Sequence, residues 1–227
     1  MSRLAENLTS VKARIALAAK NAGRDPESIQ LIAVSKTKPV EDVYAALESG
    51  QRDFGENYLQ DALQKIQDIQ TRDVIWHFIG PIQSNKTRSI AESFDWVQTL
   101  DREKIARRLN DQRPEDMSPL NVCIQINLDE EESKSGIVLE QALALGKLVE
   151  TLPRLRLRGL MFIPAPQENS AARLETCQRA QQQFQEFKQE FPDCDTLSLG
   201  MSSDLEEAIA AGSTMVRIGT DIFGERH

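Results

Sequence analysis

Residues 31–36 read LIAVSK, a short apolar and β-branched run that ends in a lysine. Seven further runs of this kind follow, and we predict a strand at each of the eight: Leu31–Lys36, Arg52–Gly55, Ile75–Gly80, Trp96–Leu100, Leu120–Asn127, Leu157–Ile163, Thr196–Leu199 and Thr214–Gly219. Segments with apolar residues at helical spacing lie between them: Val40–Glu48, Asn57–Ile69, Asp101–Asn110, Val138–Thr151, Ser170–Phe191 and Ser203–Ala211. This alternation favours parallel βαβ units, and eight such units favour a closed (β/α)8 barrel, the TIM barrel of the α/β class.

We expect residues 1–227 to form one domain, with a helix before the first strand. The length of 227 residues suits one barrel of this type, which needs roughly 200–250 residues. Leu4, Leu8, Val11 and Ile15 have helical spacing and predict the leading helix, and no linker or repeat divides the rest of the chain. The second and seventh runs are short and partly polar, so a doubly wound open sheet is the alternative.

Composition and charge narrow the possible function classes. A net charge of −8 and an isoelectric point near 5.0 disfavour non-specific binding to nucleic acid or to anionic membranes, because both attract basic surfaces. Three cysteines without CxxC spacing and only two histidines indicate neither a disulfide framework nor a metal site. No stretch suits a membrane span or a signal peptide, so we expect a cytoplasmic protein. No apolar stripe suggests an interface, so we expect a monomer.

Lys36 is the first candidate for chemistry, because the working face of such barrels lies at the carboxyl ends of the strands. Its side chain follows Ile32 and Val34 onto one face of the first strand, since side chains alternate along a strand. If that face lines the barrel interior, burial lowers the pKa of a lysine ammonium from about 10.4 and yields an amine that can form a Schiff base. The alternative is a strand-end lysine whose ammonium reaches solvent.

Two loops near the C-terminus predict an anion site. Residues 199–204, LGMSSD, place a glycine and two serines directly before a helical segment, where backbone N–H groups favour an anion. Gly219 and Thr220 follow the eighth strand, and the loops after the seventh and eighth strands are the recurrent phosphate site of these barrels. The alternative is that Ser202 or Ser203 caps the helix. Together with a Schiff-base lysine, the loops favour a phosphorylated carbonyl compound as ligand.

Arg217 shares a strand face with Met215, so it points into the barrel if that face is the inner one. A guanidinium that faced a pyridine nitrogen would keep this nitrogen unprotonated and would make the ring a weak electron sink. The alternative is a structural ion pair between Arg217 and an acidic residue, either Asp204 or Asp221.

Six segments resemble the signature blocks of a known family: IAVSKTKP, FGENYLQ, WHFIGPIQSNK, RGLMFIP, LSLGMSSDLEEAI and VRIGTDIFGER. They run in order from residue 32 to residue 226 and so cover nearly the whole chain. The chain thereby resembles the YggS/PROSC (PipY-like) family of pyridoxal 5'-phosphate (PLP) homeostasis proteins. The resemblance implies a barrel like the N-terminal domain of bacterial alanine racemases, the type III fold of PLP proteins.

Matched position by position, the resemblance implies a set of cofactor-binding residues: Lys36, Asn57, Met201, Ser202, Arg217, Gly219 and Thr220. Lys36 would hold PLP as a covalent aldimine. Ser202, Gly219 and Thr220 would hold its phosphate, and Arg217 would face the pyridine nitrogen.

Four positions have open or unusual roles. Asn57 is either a pocket residue or a helix N-cap. His77 is either a proton-transfer group or, as we expect, a core histidine bonded to a backbone carbonyl. Lys86 either binds an anion or is solvated. Asp221 departs from the family pattern, in which we expect a small residue; since a carboxylate beside a phosphate is unfavourable, we expect its side chain to point away.

The resemblance implies a protein that holds PLP reversibly, limits free aldehyde and influences the supply of PLP and of amino and keto acids, without robust catalysis. Apo forms of PLP enzymes or regulatory proteins are the implied partners. The alternatives are an amino-acid racemase, a lysine aldolase acting on a phosphorylated sugar, and an interaction protein with a vestigial site. Racemisation needs a base opposite Lys36. Alanine racemases supply a tyrosine from a second domain, whereas we expect Tyr58 to pack at the start of a helix.

Overall fold

Eight parallel strands close into a barrel in which each strand pairs with the next along the chain and the last pairs with the first. The computed structural model describes residues 2–69, 73–130 and 135–225. The strands are β1 (Gln30–Val34), β2 (Asp53–Glu56), β3 (Ile75–Phe78), β4 (Trp96–Leu100), β5 (Leu120–Ile126), β6 (Leu155–Phe162), β7 (Thr196–Ser198) and β8 (Met215–Ile218). The predicted (β/α)8 barrel is confirmed, and the doubly wound sheet is wrong because the sheet has no open edge.

Helices follow the strands and cover the outside of the barrel. In the described ranges they are α1 (Arg3–Asn21), α2 (Val40–Glu48), α3 (Leu59–Asp68), α4 (Thr87–Ser93), α5 (Glu103–Gln112), α6 (Leu139–Glu150), α7 (Ser170–Glu190), α8 (Leu205–Ala211) and α9 (Thr220–Phe223). The predicted leading helix, α1, buries Leu8, Val11 and Ile15 and packs against α2, α8 and α9. None of these helices has the length and apolar character needed to cross a bilayer.

The apolar core has two layers, one between the strands and the helices and one inside the barrel. The inner cluster consists of Ile32, Trp96, Cys123, Met161 and Met215. Ile32 on β1 lies opposite Arg217 on β8, and Met215 lies opposite Gln30, so Ile32 and Met215 share one face of the sheet, the inner one. Because side chains alternate along a strand, residues two positions further on also face the barrel axis. This places Val34 and Arg217 at the upper end of the interior.

Some predicted boundaries differ from the observed ones for identifiable reasons. β2 extends to Glu56, a charged residue that the sequence pattern places beyond the strand, because Glu56 is buried and paired with Lys65. α8 begins at Leu205 and not at Ser203, because Asp204 occupies the N-cap position. α4 lies where the pattern predicts no helix, since its seven residues are too few to display a period of 3.6.

Candidate functional site

A cavity of about 560 Å³ opens at the carboxyl ends of the strands, a size typical of small-molecule sites. Its lining comes from the ends of β1, β2, β3, β6, β7 and β8: Val34, Lys36, Asn57, Ile79, Met161, Ile163, Met201, Ser202, Ser203, Arg217, Gly219, Thr220 and Asp221. All seven residues of the predicted site are among them. The fold therefore brings together, in one cavity, residues that are as much as 184 positions apart, from Lys36 to Thr220.

Lys36 lies two residues beyond β1, in a β-turn closed by a hydrogen bond from Lys38 N to Ser35 O (3.0 Å). Thr37, the next residue, has a φ of +64°, a left-handed conformation that costs a β-branched residue roughly 1–2 kcal/mol. The side chain of Lys36 is half-buried and lines the cavity beside Val34. It therefore shares the face of Val34, as predicted, but it lies in the wall of the cavity and is neither fully buried nor fully exposed.

A buried ion pair supports the turn that carries Lys36. The Nζ atom of Lys65 donates hydrogen bonds to Ser35 O (2.9 Å), to Glu56 Oε1 (2.9 Å) and to the carboxylate of Asp61 (2.8 Å). The Ser35 hydroxyl donates to the same Glu56 oxygen at 2.6 Å. Burial raises the pKa of the Glu56 carboxyl, and the positive charge of Lys65 offsets part of that rise. Ser35, the residue just before Lys36, is thus held at its carbonyl by Lys65 and at its hydroxyl by Glu56.

Sequence reasoning missed this pair. Glu56 stands in the FGENYLQ block, and Lys65 stands four residues after Asp61 on a helix, a spacing typical of a solvent-exposed ion pair. Only the tertiary structure reveals that Lys65 turns inward, with 4% of its side chain exposed, to meet Glu56.

Arg217 points into the barrel mouth and is 4% exposed. Its Nη1 donates to Ser198 Oγ (2.6 Å) and its Nη2 donates to Phe162 O (2.8 Å). Burial lowers the pKa of Arg217 to about 10, and the negative charge of Asp204 acts in the opposite direction, so the group is a cation at neutral pH. The alternative of a structural ion pair is wrong within the described part of the chain: Asp204 accepts a hydrogen bond from Met201 N, and Asp221 pairs with an arginine of α1.

A chain of buried hydrogen bonds continues from Arg217 across the barrel. Ser198 Oγ donates to Gln98 Oε1 (2.5 Å), and Gln98 Nε2 lies 3.0 Å from Nδ1 of His77. His77 Nε2 lies 2.9 Å from Asp53 Oδ1. These contacts fit an imidazole that accepts a hydrogen bond at Nδ1 and donates one at Nε2. His77 is a core residue, as expected, but its partners are side chains, so the expected backbone carbonyl is wrong; it does not line the cavity.

The loop after β7 needs a glycine. Gly200 has a φ of +104°, and a Cβ atom there would lie 2.6 Å from the Cβ of Ala208 in α8. The following residues, Met201 and Ser202, can therefore turn over the cavity. The interpretation of Ser202 or Ser203 as a helix cap is wrong, because Asp204 is the N-cap of α8.

The loop after β8 and the loop after β2 complete the cavity. Gly219 packs against β1, where a Cβ atom would approach Val34 O to 3.3 Å, and Thr220 begins α9. Asn57 is not a helix cap, since Tyr58 is the N-cap of α3. The Oδ1 atom of Asn57 is buried without a hydrogen-bond partner among the described residues, which is a costly state unless a ligand satisfies it.

Two further candidates, Tyr58 and Lys86, lie outside the cavity lining, and a third, Asp221, lies within it. Tyr58, at the start of α3 as expected, is 53% exposed. Lys86 ends a 3-10 turn, Ser84–Lys86, and does not reach the cavity wall. Asp221 lines the cavity, but its carboxylate pairs with Arg14 of α1.

Comparison with known proteins identifies the family. The family "Alanine racemase, N-terminal domain" matches residues 6–227. The pyridoxal phosphate homeostasis protein of Escherichia coli K12 is 55% identical over 229 residues, which cover 100% of this chain and 98% of that protein. The protein of the same name from Pseudomonas aeruginosa is 54% identical, covering 100% and 97%. The chain belongs to the pyridoxal phosphate homeostasis protein family.

Solved structures agree with this family and with its fold. PipY of Synechococcus elongatus, solved with PLP bound, is 33% identical, has a TM-score of 0.85, and covers 98% of this chain and 100% of its own. Alanine racemase from Corynebacterium glutamicum has a TM-score of 0.68 at 16% identity, covering 96% of this chain and 62% of the racemase, a likeness of fold alone. The resemblance to the homeostasis family and the racemase-like barrel are both confirmed.

The buried pair beneath Lys36 gives the first prediction. Lys65→Met leaves the Glu56 carboxyl buried without its counter-charge, so we expect the free energy of unfolding to fall by about 3–5 kcal/mol in urea titrations. The double variant Glu56→Gln/Lys65→Met removes both charges and should recover most of that loss.

Lys147→Met is the matched control, because Lys147 is a helix lysine with 66% of its side chain exposed, in an ion pair with Glu190. Its loss should change stability by less than about 0.5 kcal/mol. If Lys65→Met lowered the free energy of unfolding no more than Lys147→Met does, the pair of Glu56 and Lys65 would not support the turn.

Proposed function

We propose that this chain binds PLP in the mouth cavity, holds it as a Schiff base on Lys36, and serves the homeostasis of PLP, and indirectly of amino and keto acids, without robust catalysis. The observation that carries the proposal is the convergence, in one cavity, of an amine, a buried guanidinium and two hydroxyl-bearing loops. The names of the relatives and the PLP bound to PipY support the same ligand.

The polar groups of the cavity fit each part of PLP. Ser202, Gly219 and Thr220 would hold the phosphate through hydroxyl and backbone N–H groups. Arg217 uses only part of its donors on Ser198 and Phe162, so a donor is available for the pyridine nitrogen. The buried Oδ1 atom of Asn57 offers an acceptor, and Met201 offers an apolar wall beside the ring.

Lys36 supplies the amine from the loop after β1, the strand that pairs with β8. Lys36 would hold PLP through its amine, and PLP would supply the aldehyde that condenses with this amine and releases one water. Water reverses this link, so the cofactor can be released to apo PLP enzymes, which we propose as partners together with regulatory proteins. PLP supplies the reactive aldehyde and an electron-withdrawing ring.

Two features of the cavity disfavour the racemase alternative. A cation at Arg217 keeps the ring nitrogen unprotonated, which weakens the ring as an electron sink. A second base opposite Lys36 is also lacking among the described lining residues, which include neither tyrosine nor histidine. The carboxylate of Asp221 is held by Arg14. We therefore propose a carrier and not an enzyme.

We further propose that residues 1–227 form one domain that acts as a cytoplasmic monomer. The cavity gathers all seven residues that we expect to bind PLP from this chain. Size-exclusion chromatography with light scattering measures the oligomeric state.

The covalent link gives the second prediction. Borohydride reduction of the PLP-loaded protein should attach one pyridoxyl group to the peptide that contains Lys36, as read by mass mapping. Lys36→Ala should abolish the adduct and the visible absorption band while the circular dichroism stays unchanged. Lys38→Ala is the matched control, because the Nζ atom of Lys38 donates to Phe223 O and Glu225 O. An adduct found mainly on Lys38 or Lys86 would show that the lysine is misassigned.

The third prediction separates a carrier from a racemase. With PLP-saturated protein in D2O, we expect the α-proton of L-alanine and of other L-amino acids to exchange no faster than with free PLP, because the described lining residues include neither a tyrosine nor a histidine that could act as the second base. Proton NMR measures the exchange, and a bacterial alanine racemase serves as the positive control. Rapid exchange that disappears in Lys36→Ala would overturn the carrier proposal in favour of an enzyme.

A further inference from the structure

Arg14, on the leading helix α1, contacts both loops that we propose to hold the phosphate of PLP. Its Nη2 donates a hydrogen bond to Ser202 O (3.2 Å) after β7, and its Nη1 donates one to the carboxylate of Asp221 after β8. Its Nε and Nη2 also donate to the two carboxylate oxygens of Glu206 on α8, at 2.8 and 3.0 Å. One side chain from outside the eight βα units thus ties together both loops and the helix between them.

The charge of Asp221 makes this contact relevant to the ligand. Asp221 follows Thr220 directly and lines the same cavity as Ser202, with 30% of its side chain exposed. A carboxylate at that place repels a phosphate, and partial burial weakens the screening by water. The guanidinium of Arg14 neutralises this carboxylate and holds it on the α1 side of the loop.

Arg14 is not placed to contribute much to folding. The side chains of Arg14 and Glu206 are 34% and 50% exposed, and ion pairs at such exposure add little to stability. The helix is held instead by its apolar face, which buries Leu8, Val11 and Ile15. The consequence of losing Arg14 should therefore appear in ligand binding and not in the unfolding transition.

We propose that Arg14 is a positioning residue that sets the preference of the site for a phosphorylated ligand. It does so by neutralising Asp221 and by fixing the Ser202 loop against α8 and α9. The inference rests on the proposed binding of PLP, and it adds a residue of the leading helix to a site otherwise built from the strand ends.

The test compares PLP with pyridoxal, which lacks the phosphate, in absorbance titrations of the full-length protein. Arg14→Gln should weaken PLP binding about tenfold and pyridoxal binding less than about twofold, because only the phosphate meets the released carboxylate. Asp221→Asn alone should bind PLP at least as tightly as the wild type. Combined with Arg14→Gln, it should restore most of the lost PLP affinity, since the repelling charge is gone.

Arg24→Gln is the matched control, because Arg24 donates to Ile209 O (2.8 Å) of α8 but does not line the cavity; both affinities should stay unchanged. Equal weakening of PLP and pyridoxal by Arg14→Gln, or a PLP defect that persists in the double variant, would overturn the inference alone. A wild-type chain that binds neither ligand would overturn the proposed function, and the inference with it.

Discussion

A buried cation at the mouth of the barrel is the constraint on which the site depends. Transferring the Arg217 guanidinium out of water costs several kcal/mol, and within the described residues no carboxylate forms an ion pair with it. The charge is stabilised instead by oxygen acceptors, Ser198 Oγ and Phe162 O, and by the more distant negative charge of Asp204. The Ser198 acceptor is oriented in turn by Gln98 and His77, down to the carboxylate of Asp53. A chain of polar side chains through the barrel interior thus supports the groups that keep one cation in place.

That cation defines what the cavity can accept. A positive charge in a partly enclosed mouth attracts a ligand with acceptor atoms and negative charge, and it does so most strongly where water is excluded. In the proposed complex the same charge holds the ring nitrogen unprotonated, which favours storage of PLP over carbanion chemistry. The buried pair of Glu56 and Lys65 fixes the backbone next to Lys36. In the proposed complex, two separate buried networks would set the orientation of the ligand and the position of the amine.

The fold and the residues that line the cavity were largely accessible from the sequence, because both follow from local patterns. Alternation of apolar runs and helical segments predicts the barrel, and the position of a polar residue after a strand predicts the face on which it lies. For Asn57 and Met201, the prediction came from the family resemblance and not from the pattern of strands and loops. What could not be predicted depends on distant partners. The predicted serine caps were wrong because Asp204 is the N-cap of α8. The ion pair of Arg217 was wrong because its guanidinium donates to Ser198. The carbonyl partner of His77 was wrong because the ring contacts the carboxylate of Asp53.

The most direct test of the central claim is the protonation state of the pyridine nitrogen of PLP bound to the protein, read by 15N NMR with ring-labelled cofactor. If Arg217 faces that nitrogen as a cation, its chemical shift should be that of an unprotonated, hydrogen-bonded pyridine throughout the neutral pH range. A shift typical of a protonated pyridinium would contradict the account, because it would place an acidic group, and not Arg217, against the ring.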